Sequence, residues 1–147
     1  MYWAACVLVL VFAYTLTIVI TSVGYHRGLT HGAVRLRPVV RRMVIAGGHW
    51  LTGIDPKAWV VMHRLHHAHS DRPEDPHSPV NVGLFGVPWQ QIKSYARVIV
   101  GLRHNDPHYA DVAPDVETSW PVASGLWFLP ILTHAVISLA IGLAGGG

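Results

Sequence analysis

Asp55-Pro56-Lys57-Ala58-Trp59-Val60-Val61-Met62-His63-Arg64-Leu65-His66-His67 is the stretch from which the rest of the chain is read. Asp55 is a cap whose carboxylate takes a backbone N–H, and Pro56 suits a first helical turn, where its missing N–H costs nothing. The segment is therefore expected to be helical as far as His69. On a helix, His63, His66 and His67 stand at i, i+3 and i+4 and share one face within about 100° of arc. Three cationisable rings on one face repel when protonated and need a reason to coexist, and a bound metal is that reason. Trp59 lies on the same helix.

Upstream, His26-Arg27-Gly28-Leu29-Thr30-His31 follows directly on a long apolar run. Five residues turn about 140° around an ideal helix, so these two rings are expected to diverge and serve two metals, or one metal if the helix unwinds at Gly28. Downstream, Ser70 to Pro79 holds Pro73, Pro76 and Pro79, which forbid regular helix and predict a rigid polar loop. Asp71 or Asp75 is placed there to orient a histidine ring from behind. His69 and His77 are left open, while His49, His104, His108 and His134 read as packing or hydrogen-bonding residues.

Composition sets the surroundings. Of 147 residues, 51% are hydrophobic and only 13% charged, the profile of a membrane protein. Every Lys and Arg falls between Arg27 and Arg103 and every Asp and Glu between Asp55 and Glu117, so both ends are uncharged. The all-α plan that follows has two transmembrane helices, over residues 1–25 and 119–143, flanking a histidine-bearing region of cytoplasmic and interfacial helices at 26–118. A cleaved signal sequence is the competing reading of the first run, but no basic residue precedes it and no small-residue cleavage site follows. Pro130 is expected to kink the second span without abolishing it.

Arg27, Arg35, Arg37, Arg41 and Arg42 follow the first span closely, and the positive-inside bias puts the middle region on the cytoplasmic side. Within it, Met43 to Ile54 is too short to cross and reads as an interfacial or re-entrant helix. From Pro88, Trp89, Ile92, Ala96 and Ile99 against Lys93, Arg97 and Arg103 describe an amphipathic helix at the headgroups or a plain surface helix. Cys6 is alone in the first span, so neither a disulfide nor a thiolate metal site is available. No nucleic-acid-binding signature is present, and the basic balance is explained by orientation and lipid contact.

Imidazole suits zinc, copper, iron and nickel alike. Five clustered histidines exceed what one tetrahedral zinc with an open position uses, and neither a Cys pair nor a His-Glu-x-x-His motif accompanies them. A two-metal centre at the membrane surface is the better match.

The boxes His26-x4-His31 and His63-x2-His66-His67, with Asp75-Pro76-His77-Ser78 downstream, resemble the membrane-bound fatty acyl desaturases, especially the delta-9 acyl-CoA type. Gly24-Tyr25-His26-Arg27, Arg64 and Trp59 are similar too. The resemblance implies a partial desaturase domain over 1–147. It implies a non-haem di-iron enzyme that uses O2 and two electrons to remove two hydrogens from a fatty acyl chain, an oxidoreductase of lipid metabolism and fatty acid biosynthesis. By the same resemblance His26, His31, His63, His66 and His67 are iron ligands, and Trp59 lines a tunnel for the acyl substrate. The electron donor is of the cytochrome b5, ferredoxin or rubredoxin type.

Members of that family are longer and carry a third box, His-x2-His-His, with an Asn and a further His on a fourth span. This sequence has none of these, and it is expected to be an incomplete copy whose five histidines leave two metals under-coordinated and without turnover in isolation. Three other readings stand beside it. A di-iron membrane hydroxylase uses similar boxes, a histidine-rich membrane protein could bind or carry metal without catalysis, and a bis-histidine haem leaves the triple cluster unexplained.

Overall fold

The computed structural model describes residues 2–145, and every regular element among them is helical, as the all-α reading expects. α1 (Tyr2–Val19) has no charged residue and continues without a break into a π-helix (Ile20–Thr30). From Trp3 to Thr30 they make one apolar helix of 28 residues, the one element among the described residues long and apolar enough to cross a membrane. Side chains of its first part, among them Leu8, Leu10 and Phe12, project away from the rest of the protein.

The second expected span is divided. A single turn, α7 (Trp120–Ala123), is followed by a reversal through Gly125 at φ 77°, and α8 (Leu129–Gly145) then begins afresh. Pro130 therefore starts a helix and does not kink one. In a first turn its ring meets no carbonyl four residues back, and its missing N–H has no partner to lose. α8 is apolar over 17 residues.

Between these ends, α2 (Pro38–Thr52) starts from a proline and stops at Gly53, whose φ of 72° gives the left-handed turn that releases the chain. The apolar run from Met43 is its C-terminal part. α3 (Pro56–His69) begins as its sequence dictates, with Asp55 accepting from the Ala58 N–H at 2.7 Å. The proline-rich loop leads through α4 (Pro79–Val82) and a 3-10 turn (Leu84–Gly86) to α5 (Val87–Arg103), and α6 (Pro107–Ala110) follows. α5 turns Ser94, Val98, Ile99 and Leu102 inward, so its apolar residues part company: Ile99 faces the core, while Trp89 and Ile92 stay exposed beside Lys93.

The core is small and lies directly behind the histidines. Val60, Val61 and Met62 of α3 pack with Tyr25 and Leu29 of the π-helix, Ile45 of α2, and Val98, Ile99 and Leu102 of α5. Close approach of the π-helix to α2 depends on Gly48, because a Cβ there would lie 2.9 Å from the Tyr25 ring. Polar pins complete the frame. The Tyr25 hydroxyl donates to the Ile54 carbonyl at 3.1 Å, and the Asp55 N–H donates to the Tyr95 hydroxyl at 2.7 Å. His49, buried, bonds Ser119 Oγ at 3.1 Å and acts as the packing residue its sequence context suggests.

Candidate metal centre

Two helices supply the centre, and each delivers its rings by a different device. On α3, α-helical spacing puts His63 and His67 one turn apart, with ring centroids separated by 4.6 Å. On the first helix the spacing is five, and an α-helix would indeed splay the rings. The π-helix corrects that expectation. Its hydrogen bonds close from i+5 to i, as in His31 N–H to His26 carbonyl at 3.1 Å, so the fifth residue returns above the first. The His26 and His31 rings stand 4.7 Å apart, edge to face, with no unwinding at Gly28.

The two pairs then meet. His26 lies 4.7 Å from His63 and His31 lies 5.0 Å from His67, measured between ring centroids. His31 Nε2 and His67 Nε2 approach His63 Nε2 at 3.4 and 3.1 Å. One ligand atom from each of the four rings falls within 4.8 Å of every other. Nitrogens that converge so closely satisfy one another poorly, since a neutral imidazole has one N–H and one lone pair. A cation among them satisfies all the lone pairs at once, and this is how the donor set fits a metal.

Burial, and then the neighbouring His26, His67, His31 and His66 rings, lower the His63 pKa to about 4. His63 is therefore neutral at physiological pH and available as a ligand.

His66, although on the same face of α3, belongs to a second group. Its Nδ1 bonds the two oxygens of Asp75 at 2.9 and 3.0 Å, and its ring stacks on His77 with centroids 4.5 Å apart. His66, Asp75 and His77 form a separate cluster of possible ligand atoms. Burial works against the Asp75 charge, but N–H donors from His77, His66 and Asp71 hold its carboxyl below the ordinary range. The sequence places Asp75 as one of two candidates behind a ring and leaves His77 open. Its one signal for both was the Asp75-Pro76-His77 step at the end of the stiff loop.

Arg64, between the histidines, ties the two histidine-bearing helices together. One of its nitrogens donates to the Leu29 carbonyl of the π-helix at 3.1 Å, and the other to the Val112 carbonyl at 3.0 Å. The same guanidinium grips both Asp115 oxygens, at 2.7 and 3.1 Å. That contact holds the Asp115 carboxyl below its ordinary range.

Trp59 stacks on His63 with centroids 4.8 Å apart and faces an apolar cavity of about 360 Å³. Ile54, Met62, Ile92 and Tyr95 line the cavity with it, and His63, His77 and Gln91 are its polar lining. His69, His104, His108 and His134 join neither cluster.

A family model described as fatty acid desaturase matches residues 1–146. The chain is 34% identical over 91 residues to the Delta-9 desaturase-like 2 protein of Arabidopsis thaliana, a match covering 61% of this chain and 30% of that protein. It is 43% identical over 61 residues to an acyl-CoA 5-desaturase of Anemone leveillei, covering 41% and 19%. A hex-5-enoyl-[acyl-carrier protein] acetylenase of Moorena producens is 34% identical over 77 residues, covering 50% and 24%. The matched stretch thus spans less than a third of each of these relatives, and no solved structure matches. With both histidine boxes brought to one point in the fold and the family model running over nearly its whole length, the chain belongs to the fatty acid desaturase family.

Proposed function

We propose that the chain carries part of the iron centre of a membrane-bound, O2-using fatty acyl desaturase. The single observation that carries this reading is the meeting of His26, His31, His63 and His67, from two boxes far apart in sequence, beside an apolar cavity. His66 stands as the fifth ligand, facing a second metal. Bound iron supplies the power to activate O2 next to an unactivated alkyl chain.

The residues present do the rest. Trp59, Met62, Ile92 and Tyr95 give the alkyl chain a largely apolar surface, and the Tyr95 hydroxyl is taken up by the Asp55 N–H. His63, stacked under Trp59, marks the end of the cavity at which hydrogens are removed.

The apolar helix Trp3–Thr30 crosses the bilayer, and His26 and His31 emerge at its cytoplasmic end, next to the basic residues Arg27 to Arg42. A bilayer core needs about 20 apolar residues, so 28 residues leave the ligand-bearing turns at the membrane edge. α8, apolar over 17 residues and starting afresh after the reversal at Gly125, makes the second crossing. An external donor of the cytochrome b5, ferredoxin or rubredoxin type brings the two electrons, and the product is an unsaturated acyl chain.

The test has two readouts on membranes that contain the protein. Iron extracted with the purified chain is expected, and it should disappear in His63→Ala. Acyl chains supplied with O2 and an electron donor are expected to stay unchanged by mass spectrometry with this chain alone, and a loss of two hydrogens would overturn the expectation that its five histidines do not support turnover. A gain of one oxygen would assign hydroxylation instead, and iron-free protein of normal helicity would overturn the metal reading.

A further inference from the structure

The loop between α3 and α4 is organised around one side chain. Asp75 is only 1% exposed and accepts from three N–H donors, the His66 Nδ1–H shared between its two oxygens at 2.9 and 3.0 Å, the Asp71 N–H at 3.0 Å and the His77 N–H at 3.0 Å. Each oxygen of the carboxylate therefore faces two N–H groups, the His66 proton being shared between them. The backbone around it is pinned in turn. The Gln90 amide donates to the Asp75 carbonyl at 3.2 Å, the Ser94 hydroxyl to the Pro76 carbonyl at 2.8 Å, and the Ser78 hydroxyl to Asp71 at 2.8 Å. α5 therefore holds the loop, and the loop holds the carboxylate against His66.

We propose that Asp75 is a positioning residue that keeps His66 as the Nδ1–H tautomer and so presents Nε2, with its lone pair, to a metal. This rests on the metal reading given above. A carboxylate surrounded by N–H donors accepts, so the proton between it and the ring sits on Nδ1, and a neutral imidazole then has its lone pair on Nε2. His77, stacked on the ring at an interplanar angle of 24°, covers the face through which the ring would have to turn to exchange its two nitrogens. Asp75 itself is not a ligand, because its oxygens are spent on N–H donors. The contrast with the four-ring cluster is chemical: among the described residues no carboxylate bonds His63, whose tautomer is left to its imidazole neighbours.

The experiment uses the full chain in detergent, metal-free and labelled with 15N-histidine, with the His66 signals assigned by their loss in His66→Gln. Long-range proton–nitrogen correlations are expected to show His66 protonated at Nδ1 and bare at Nε2. Cobalt(II) titration of the wild type should fill the site, and Asp75→Asn should weaken uptake at His66 by about 10–100-fold while its far-ultraviolet helix signal is kept. Asn rotates to offer either an acceptor or a donor, so the tautomer preference should be lost with the affinity. The wild-type tautomer does not depend on how the variant folds.

An Nε2–H tautomer in a chain that takes up cobalt overturns the role of Asp75 alone. An X-ray absorption oxygen shell that vanishes in Asp75→Asn makes Asp75 a ligand and overturns it equally. An Nδ1–H tautomer in a chain that takes up no metal overturns the metal reading and, with it, the purpose assigned to Nε2.

Discussion

The two clusters on the open face of α3 are built on opposite principles. Among the described residues His26, His31, His63 and His67 crowd together without a carboxylate, and burial with the neighbouring rings makes His63 harder to protonate. His66 has a buried carboxylate behind it, wired to a loop and to α5. The first arrangement is costly unless a cation joins it; the second gives His66 a carboxylate partner and aims that ring outward. One helix thus offers a site that needs its metal beside a ring fixed in advance.

The most damaging test of the first cluster is His63→Ala. His63 touches all three other rings of the cluster and Trp59, so cobalt(II) affinity measured by titration should fall by more than the about 100-fold that loss of an outer contact costs. A smaller fall would mean that the four rings do not act together.

Next in size is Gly48→Ala, which strikes the packing between the π-helix and α2. The added methyl overlaps the Tyr25 ring, so thermal unfolding should show a loss of about 1–3 kcal/mol. An unchanged transition would mean that the π-helix is not held by that contact.

Arg64→Met removes the tie between α3 and the π-helix while keeping the length of the stem. The pair with Asp115 is half open to solvent, so the expected cost is about 1–2 kcal/mol, with metal affinity lowered because His26 and His31 lose their register. Lysine at that position should restore part of the stability and little of the affinity, since it cannot bridge Leu29 and Asp115 as a fork does.

The smallest effect is that of pH on the metal-free chain. His63 binds its proton less readily in the folded state, about pH 4, than in the unfolded chain, near 6.5. Stability is therefore complete above about 6.5 and is lost as pH falls toward 4, because the unfolded state takes up the proton first. His63 is partly solvated, and its share should stay below that of either packing variant. Unfolding midpoints at pH 7 and pH 5 check the sign, and a chain more stable at pH 5 would contradict it.

Much of this was legible in the residues. Asp55-Pro56 announces the start of α3, and the i, i+3, i+4 histidines announce its open face, because both signals are local. The uncharged first run reads as a long helix for the same reason.

The pairing of His26 with His31 was not legible, since their spacing was counted on an α-helical wheel and the chain follows a π-helix there. Nor was the separation of His66 from His63 and His67. All three share a face, and only the return of the loop with Asp75 and His77, set by contacts to Gln90 and Ser94 of α5, decides which ring is claimed. Pro130 misled in a third way, because proline inside an apolar run is consistent with a kink or with a new start, and the reversal at Gly125 settles it.

The central claim is that one ion is shared by rings from two helices, and a double-mutant cycle on cobalt(II) affinity tests it most directly. His26→Ala and His67→Ala are compared with the pair together. If the ion is shared, each single change removes most of the affinity and the double change costs far less than their sum. Losses that add in full, as for two independent sites, would contradict it.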